Sequence, residues 1–190
     1  MILKSQRTIN ELSEVLKNPD FKNENPAYWV FSELKFEKWV NMTVLAPTII
    51  NGEFNKTYGH YHTTTHENEI YKVVSGTGLF MLQKKHFANG IWVENMVDEV
   101  YLINAKPGDE ILVKTEFGHS WSNIGKSPLI TYDNWDFGHS PNDYTPVKKV
   151  KGMAYYLLAD GSDFKFEKNP NYKNVPEIKI LSADEFNKIL

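Results

Sequence analysis

Three histidines and one glutamate have the residue types and the spacing that could bind a metal ion. His60 and His62 are two residues apart, so in an extended strand both side chains project from the same face. Glu69 opens the next apolar run, and His119 follows a turn signal and a further apolar run. Three imidazoles and one carboxylate suit Mn, Fe, Ni, Co or Zn, whereas Ca and Mg prefer oxygen ligands. The sequence therefore predicts one divalent metal ion bound by these four residues.

The other histidines have simpler interpretations. A single histidine in a strand is more often a surface or hydrogen-bonded residue than a ligand, and the His-x-His pair by itself leaves both interpretations open. His66 lies in a predicted loop tip, His86 is expected at the surface, and His139 could lie at the rim of a pocket. The metal prediction therefore depends on all four candidate ligands converging on one point.

Short β-rich runs supply the elements that must position these side chains. From residue 29 to residue 172 such runs alternate with Asn-Gly, Pro-Gly and other glycine-containing turn signals, which predicts an antiparallel sandwich or barrel. We expect one domain over residues 1–190, consisting of a helical arm (1–28), the barrel (29–172) and a C-terminal tail with a helix (173–190).

Capping patterns predict a helix near each end of the chain. Thr8 and Glu11 have the spacing of a capping box, and the apolar residues that follow predict an amphipathic helix over residues 8–18. Near the other end, Asp160-Gly161 predicts the turn of a hairpin, and LSADEFNKIL predicts a capped helix.

Composition and charge limit the classes of partner. The chain has 190 residues and a formal net charge of -3, which provides no basic face for nucleic acid, so a small-molecule ligand is expected. The sequence has no cysteine, no evident secretory signal and no apolar run that could span a membrane, so the expected compartment is the cytoplasm. The single arginine, Arg7, lies near the end of the chain, where order is least certain, so an anionic ligand is expected to be held in another way.

The candidate ligands occur within two motifs that resemble those of the cupin superfamily. The first comprises His60-x-His62, Glu69 and Gly76, and the second comprises Pro107-Gly108-Asp109 and His119-x-x-x-Asn123. Six residues separate His62 from Glu69, more than in most cupins, and this gap resembles that of the cupin-type glucose-6-phosphate isomerases, which are known mostly from archaea and some bacteria. Further matches extend the resemblance over roughly residues 40–172, and they are Thr43-Val44-Leu45, Thr57, Gly59, Glu69-Ile70-Tyr71, Gly76-x-Gly78, Asn169-Pro170 and Tyr172.

This resemblance implies a fold, a reaction and a site. The fold would be all-β, a cupin (double-stranded β-helix or jelly-roll) barrel with short N- and C-terminal helices, assembled as a homodimer. The reaction would interconvert glucose 6-phosphate and fructose 6-phosphate, a step of glycolysis and gluconeogenesis. The metal ligands would be His60, His62, Glu69 and His119, and the phosphate would be bound by Thr43, Thr57 and Gly59. Hydroxyls and a main-chain N–H can bind a phosphate without arginine.

Several positions depart from the family pattern. Tyr58 lies where the family often has lysine, and Trp135 lies where a phosphate-contacting tyrosine would be expected. The following loop, DFGHSPNDY, is longer, and its Tyr144 could supply the missing hydroxyl. Lys114 and Glu116 replace the usual proline and glycine of the second motif. The alternatives are another metal-dependent cupin enzyme, such as a dioxygenase or another sugar isomerase or epimerase, and a non-catalytic cupin that binds sugar phosphate.

Two residues are the expected catalytic groups for an aldose–ketose isomerisation. Glu69 is the expected base, because it is the only carboxylate among the candidate ligands. Tyr71 is two residues further along the same strand face, so its hydroxyl could position the substrate or relay a proton. The sequence leaves open whether hydrogen moves as a proton through an enediol or as a hydride.

Overall fold

Most of the chain folds into β-strands in the computed structural model, which describes residues 1–20, 23–63 and 68–190. In chain order the strands are β1 (Ile2–Thr8), β2 (Pro26–Ser32), β3 (Asn41–Leu45), β4 (Ile49–Ile50), β5 (Glu53–Phe54), β6 (His60–Tyr61), β7 (Glu69–Ser75), β8 (Gly78–Ala88), β9 (Ile91–Ala105), β10 (Glu110–Val113), β11 (Phe117–Asn123), β12 (Leu129–Asp133), β13 (Tyr155–Asp160), β14 (Asp163–Lys168) and β15 (Lys179–Ser182). The helices are α1 (Ile9–Leu12), α2 (Pro141–Lys149) and α3 (Ala183–Ile189).

The strands form three sheets within the described residues. A six-stranded sheet has the order β1-β2-β3-β12-β7-β10, a five-stranded sheet has the order β15-β9-β8-β11-β6, and a four-stranded sheet has the order β14-β13-β5-β4. The pairing is antiparallel except between β15 and β9, which are parallel. Several strands that are adjacent in a sheet, such as β3 and β12, are therefore far apart in the sequence.

The inner faces of the two larger sheets pack against each other. In β7 the side chains of Glu69, Tyr71 and Val73 are buried while those between them are half-buried, which is the period of two expected of a strand with one inward face. The Tyr71 ring lies 5.1 Å from the ring of Phe80 in β8, and Phe80 stacks on Trp121 in β11 at 4.1 Å. The fold is thus mostly β, as predicted, with short helices near both ends.

Hairpin turns form where the sequence predicts them. Asn89 and Gly90, between β8 and β9, both have positive φ angles of 52° and 76°, which is the conformation that Asn-Gly favours in a two-residue turn. β13 and β14 pair around Gly161, as predicted from Asp160-Gly161. At the end of the chain Ser182 and Glu185 form the capping box of α3.

The N-terminal segment differs from the prediction of a helix over residues 8–18. The Thr8–Glu11 capping box is present, but α1 ends at Leu12 and only a 3-10 turn, Ser13–Val15, follows it. The main chain beyond this turn is bound by tertiary partners, because the carbonyl of Val15 accepts a hydrogen bond from Lys56 Nζ and the N–H of Lys17 donates to Glu53. These contacts replace the intrahelical bonds that a longer helix would need. Before α1 the chain forms a strand, β1, that the sequence did not predict.

A second difference is helix α2, which forms where the sequence predicted only a longer loop. Ser140 caps it, Pro141 occupies its first turn, and the Asp143 carboxylate accepts the Ser140 N–H at 2.8 Å. A serine cap, a proline in the first turn and an acidic residue three positions after the cap form a recognisable helix start.

The helices among the described residues are too short or too polar to span a membrane. The division of residues 1–190 as one domain stays a proposal.

Candidate metal centre

Two neighbouring strands of the five-stranded sheet hold His60 and His119 opposite each other. β6 and β11 pair antiparallel with His119 directly across from His60, and their rings lie 4.2 Å apart. Gly118 permits this close pairing, since a Cβ at that position would lie 2.5 Å from carbon atoms of the Tyr61 ring. Both imidazoles are buried. The register of one strand pair therefore brings together two histidines that are 59 residues apart in the sequence.

The other two candidate ligands complete the cluster from either side. His62 follows β6, and its ring lies 5.0 Å from that of His60. Glu69 comes from β7 of the opposing sheet, and its Oε2 lies 2.9 Å from His62 Nε2 and 3.2 Å from His119 Nε2. One ligand atom from each of the four residues lies within 4.8 Å of the others. The structure thus brings all four predicted ligands to one point between the sheets. His66 lies outside the described residues.

Burial and mutual contacts shift the pKa values of His60, His119 and Glu69. Burial lowers the pKa of His60 well below its ordinary value, and the neighbouring histidines lower it further. Burial also lowers the pKa of His119, against the opposing effect of Glu69. Burial alone would raise the pKa of Glu69, but hydrogen bonds from His119 and His62 outweigh it and hold this pKa well below its usual range. Neutral imidazole and ionised carboxylate are the protonation states that bind a metal ion.

The donor set fits a divalent cation. His60 Nε2 and Glu69 Oε1 are buried and have no hydrogen-bond partner among the described residues. An unpaired buried polar atom costs roughly 1–3 kcal/mol, so such atoms in a native protein usually have a partner that the protein itself does not supply. A cation at the centre of the four residues would satisfy both atoms. This cluster could therefore hold a metal ion, and its nitrogen-rich composition favours a transition metal or zinc.

A cavity of about 380 Å³ opens beside the cluster, and His60 and His119 form part of its wall. This volume is in the range of small-molecule sites. The predicted substrate-binding residues Thr43, Thr57, Gly59 and Tyr144 all line the cavity, as does Tyr71. Trp135 is different, because it does not line this cavity and its ring packs on His62 at 3.9 Å.

Tyr71 lines the cavity next to His119 of the cluster. Its hydroxyl is 3.4 Å from His119 Nε2, and its ring centroid is 5.5 Å from that of His119. Burial raises its pKa well above the ordinary value, and the charge of Glu69 raises it further. The phenol therefore remains protonated at neutral pH and can donate a hydrogen bond.

His139 lines the same cavity, in agreement with the expectation that it could lie at the rim of a pocket. Its ring lies 4.3 Å from that of His60, and its Nδ1 is 3.8 Å from a carboxylate oxygen of Asp143. Burial lowers the pKa of His139 to about 4. This imidazole is consequently neutral over the physiological range.

Two further residues of the cavity were not identified from the sequence. Asp133 ends β12 with its carboxyl buried, and Asn41 Nδ2 donates to its Oδ1 at 2.6 Å. Burial, followed by the charge of Glu69, raises the pKa of Asp133 to about 7. Its position could have been found, because it shares the inward parity of Leu129 and Thr131. The second residue is Arg7, which also lines the cavity. The sequence gave no sign of this position, because Arg7 lies in strand β1, which was not predicted.

The sequence is similar to those of proteins named glucose-6-phosphate isomerase. The family model described as Glucose-6-phosphate isomerase (GPI) matches residues 7–175. The protein of that name from Thermococcus onnurineus (strain NA1) is 32% identical over 133 residues, which are 69% of this chain and 62% of the relative. The one from Thermococcus kodakarensis (strain ATCC BAA-918 / JCM 12380 / KOD1) is 28% identical over 168 residues, which are 85% of this chain and 81% of the relative. The first of these matches therefore spans less than two thirds of the relative's length.

Among solved structures, an oxalate oxidase in complex with the substrate analogue glycolate is similar to this chain with a TM-score of 0.37. The sequence identity is 16%, and the superposition covers 56% of this chain and 40% of that chain. An oxalate decarboxylase from Lactobacillus farciminis, in its formate complex, has a TM-score of 0.38 at 18% identity, over 60% of this chain and 30% of that chain.

Proposed function

The chain belongs to the glucose-6-phosphate isomerase family, and we propose that it is a metal-dependent aldose–ketose isomerase that interconverts glucose 6-phosphate and fructose 6-phosphate. One structural observation carries the proposal, namely a buried three-histidine, one-carboxylate cluster in the wall of a cavity of about 380 Å³. The reaction needs a group that polarises a carbonyl, a group that accepts a proton and a pocket for the phosphate.

The proposed cofactor is one divalent cation, Mn, Fe, Ni or Zn, with His60, His62, Glu69 and His119 as its ligands. The unpartnered His60 Nε2 and Glu69 Oε1 support this assignment. When bound, the cation would act as a Lewis acid and template for the oxygens on C1 and C2 of the sugar.

Proton transfer is assigned to Glu69 with help from Tyr71. Glu69 is the carboxylate of the cluster, and its ionised form can accept a proton from the carbon next to the carbonyl. Tyr71 keeps its proton and lies beside His119 at the cavity wall, so its hydroxyl is placed to donate to a substrate oxygen or to relay a proton. Both side chains project from the inward face of β7, which holds their relative positions.

The remaining part of the cavity is proposed to bind the sugar phosphate. Thr57 Oγ1 accepts the main-chain N–H of Trp121 at 3.0 Å and lies 3.3 Å from Ser120 Oγ, and these contacts fix the hydroxyl in the cavity wall. The Thr43 hydroxyl, the Gly59 main chain and the Tyr144 hydroxyl provide further polar groups. Trp135 stays a prediction as a substrate contact, because its ring packs on His62 instead of lining the cavity.

Two further expectations are also proposals. We infer a homodimer from the family resemblance, and sedimentation equilibrium would test it. The cytoplasm is proposed as the compartment because the sequence contains no cysteine and a phosphorylated sugar is an intracellular metabolite class.

The decisive test is an isomerase assay on purified protein that has been stripped of metal and reconstituted separately with Mn, Fe, Ni and Zn. Activity with at least one cation is expected, and Glu69→Gln or His62→Ala should reduce kcat/KM by at least about 100-fold. His86→Gln is the matched control, because His86 is a histidine outside the cluster that contacts Asp98. Near-normal turnover in the Glu69 or His62 variant would refute the proposed site. Deuterium incorporated from solvent into the product would distinguish an enediol route from a hydride shift.

A further inference from the structure

The only arginine of the chain lies in the wall of the cavity that contains the candidate metal centre. Arg7 sits in β1 opposite Tyr28 of β2, and its Nε donates a hydrogen bond to the Tyr28 hydroxyl at 3.0 Å. Tyr28 is itself buried, so its hydroxyl is a fixed acceptor. The side chain of Arg7 is therefore anchored at one nitrogen.

Two aromatic rings hold the guanidinium in place. The guanidinium carbon lies 4.7 Å from the centroid of the Tyr58 ring and 5.7 Å from that of Tyr144. These rings are themselves in edge contact, with centroids 5.7 Å apart. Because an arginine stacked on aromatic rings loses little further freedom when it binds an anion, such a cation is organised in advance for recognition.

The charge of Arg7 is not neutralised by an ion pair within the described part of the chain. Among the described residues, Arg7 contacts the Tyr28 hydroxyl and the rings of Tyr58 and Tyr144. Its two Nη atoms form no hydrogen bond with these residues. The nearby Glu11 carboxylate instead accepts the Thr8 N–H in the capping box. The charges of Glu11 and Glu14 act on Arg7 from nearby, but neither carboxylate forms an ion pair with it. Arg7 thus presents a forked donor that has no ion-pair partner among the described residues.

Arg7 and the candidate metal centre line one cavity, where they could contact the two ends of a single substrate molecule. The Tyr144 ring lies between them, 5.5 Å from the His60 ring and 5.7 Å from the guanidinium. The hydroxyls of Thr43 and Thr57 line the same cavity. A sugar phosphate has its carbonyl carbon and its phosphate at opposite ends of the carbon chain, so one molecule could reach both groups.

We propose that Arg7 binds the dianionic phosphate of the substrate alongside the polar groups already assigned to it, with Tyr28, Tyr58 and Tyr144 as the residues that position its guanidinium. This assignment rests on the proposed function, which it deepens by giving the phosphate its cationic ligand. The planar guanidinium makes two parallel hydrogen bonds to a phosphate, which a threonine hydroxyl or a main-chain N–H cannot do. Arg7 therefore selects phosphorylated over unphosphorylated sugars.

Inorganic phosphate is a suitable probe, because it tests Arg7 without requiring turnover. Its binding to the full-length, metal-depleted chain would be measured by calorimetry for the wild type, Arg7→Gln, Arg7→Lys and Tyr28→Phe, and KM for fructose 6-phosphate would be measured on the reconstituted proteins. Lys126→Gln is the charge-matched control, since Lys126 is an exposed cation that does not line the cavity. Thermal unfolding would verify that each variant is folded.

Arg7→Gln is expected to weaken phosphate binding and to raise KM by about 10- to 100-fold, the range for losing a charge-assisted pair of hydrogen bonds. Tyr28→Phe should have a smaller effect of about 3- to 10-fold, because the charge stays and only the anchor of Nε is lost. Lys126→Gln should change neither quantity by more than about threefold. Wild-type phosphate affinity in folded Arg7→Gln would overturn the proposal.

The two proposals fail in different ways. If the wild type isomerises no sugar phosphate with any cation, but phosphate binding is lost in Arg7→Gln, the proposed reaction is wrong and the role of Arg7 stands. If isomerase activity is present and Arg7→Gln retains the wild-type KM and phosphate affinity, Arg7 is wrong and the reaction stands. Should Arg7→Gln not fold, weaker phosphate binding in Arg7→Lys supports the proposal and unchanged binding in both Arg7→Lys and Tyr28→Phe overturns it.

Discussion

Replacing Asp133 by asparagine should remove a large pH-dependent loss of stability. The Asp133 carboxyl is buried in the cavity wall, and burial followed by the charge of Glu69 raises its pKa from the ordinary value of 3.8 to about 7. Between these two values the native protein holds a proton that the unfolded chain has released. The free energy of unfolding therefore falls as the pH rises from about 4 to about 7.

The size of this effect follows from the pKa difference. A change of one in pKa corresponds to about 1.4 kcal/mol, so raising the pKa from 3.8 to about 7 corresponds to about 4 kcal/mol over the whole window. About 3 kcal/mol of this lies between pH 5 and pH 8. Asparagine has no such titration, and its amide oxygen can still accept the hydrogen bonds that Asn41 Nδ2 and the Trp135 N–H donate to Asp133 Oδ1.

Urea denaturation of metal-free wild type and Asp133→Asn at pH 5 and pH 8 measures this effect directly. Other groups also titrate in this range, but they are common to both proteins, so the difference between the two isolates Asp133. The variant should gain about 3 kcal/mol relative to the wild type on going from pH 5 to pH 8. Asp20→Asn, at an exposed carboxylate outside the cavity, is the matched control. An equal stability difference at both pH values would mean that the native Asp133 is already ionised at pH 5, and the reasoning from burial would be wrong.

Three further outcomes test the centre and the packing around it. Zinc at about 100 times its Kd should raise the free energy of unfolding by about 2.7 kcal/mol in wild type and much less in His62→Ala, as measured by urea denaturation; equal shifts would place the metal elsewhere. Gly118→Ala should cost about 1–3 kcal/mol, because its Cβ would lie 2.5 Å from the Tyr61 ring, and an unchanged midpoint would contradict that crowding. Lys56→Met should cost roughly 3–5 kcal/mol in the same assay, because it leaves the buried Glu53 carboxylate without its cation, and a loss below about 1 kcal/mol would show that this pair is not essential.

Much of the barrel could be predicted because its signals are local. The alternation of apolar and polar residues predicted strands such as β7, and Asn89-Gly90 predicted the turn between β8 and β9 because asparagine and glycine tolerate positive φ. The capping pattern of Ser182 and Glu185 likewise predicted α3. Each of these features depends on residues that are neighbours along the chain.

The predictions that were wrong concern segments whose main-chain groups bind distant residues. The helix predicted over residues 8–18 stops at Leu12, and Lys56 and Glu53 bind the main chain that follows it. Strand β1 has exposed apolar residues at its start, including Ile2 and Leu3, so its pattern did not indicate a strand with one buried face. Its existence depends on pairing with β2.

The sequence by itself determined which side chains could serve a metal centre and which of them share a strand face, because residue type and a period of two are properties of the chain alone. Only the tertiary structure decided that Glu69 of one sheet meets His62 and His119 of the other, and that Arg7 and Asp133 line the same cavity. Strand register and sheet packing depend on hydrogen bonds and burial between residues far apart in sequence. Burial also sets the pKa of Asp133, and no local pattern contains that information.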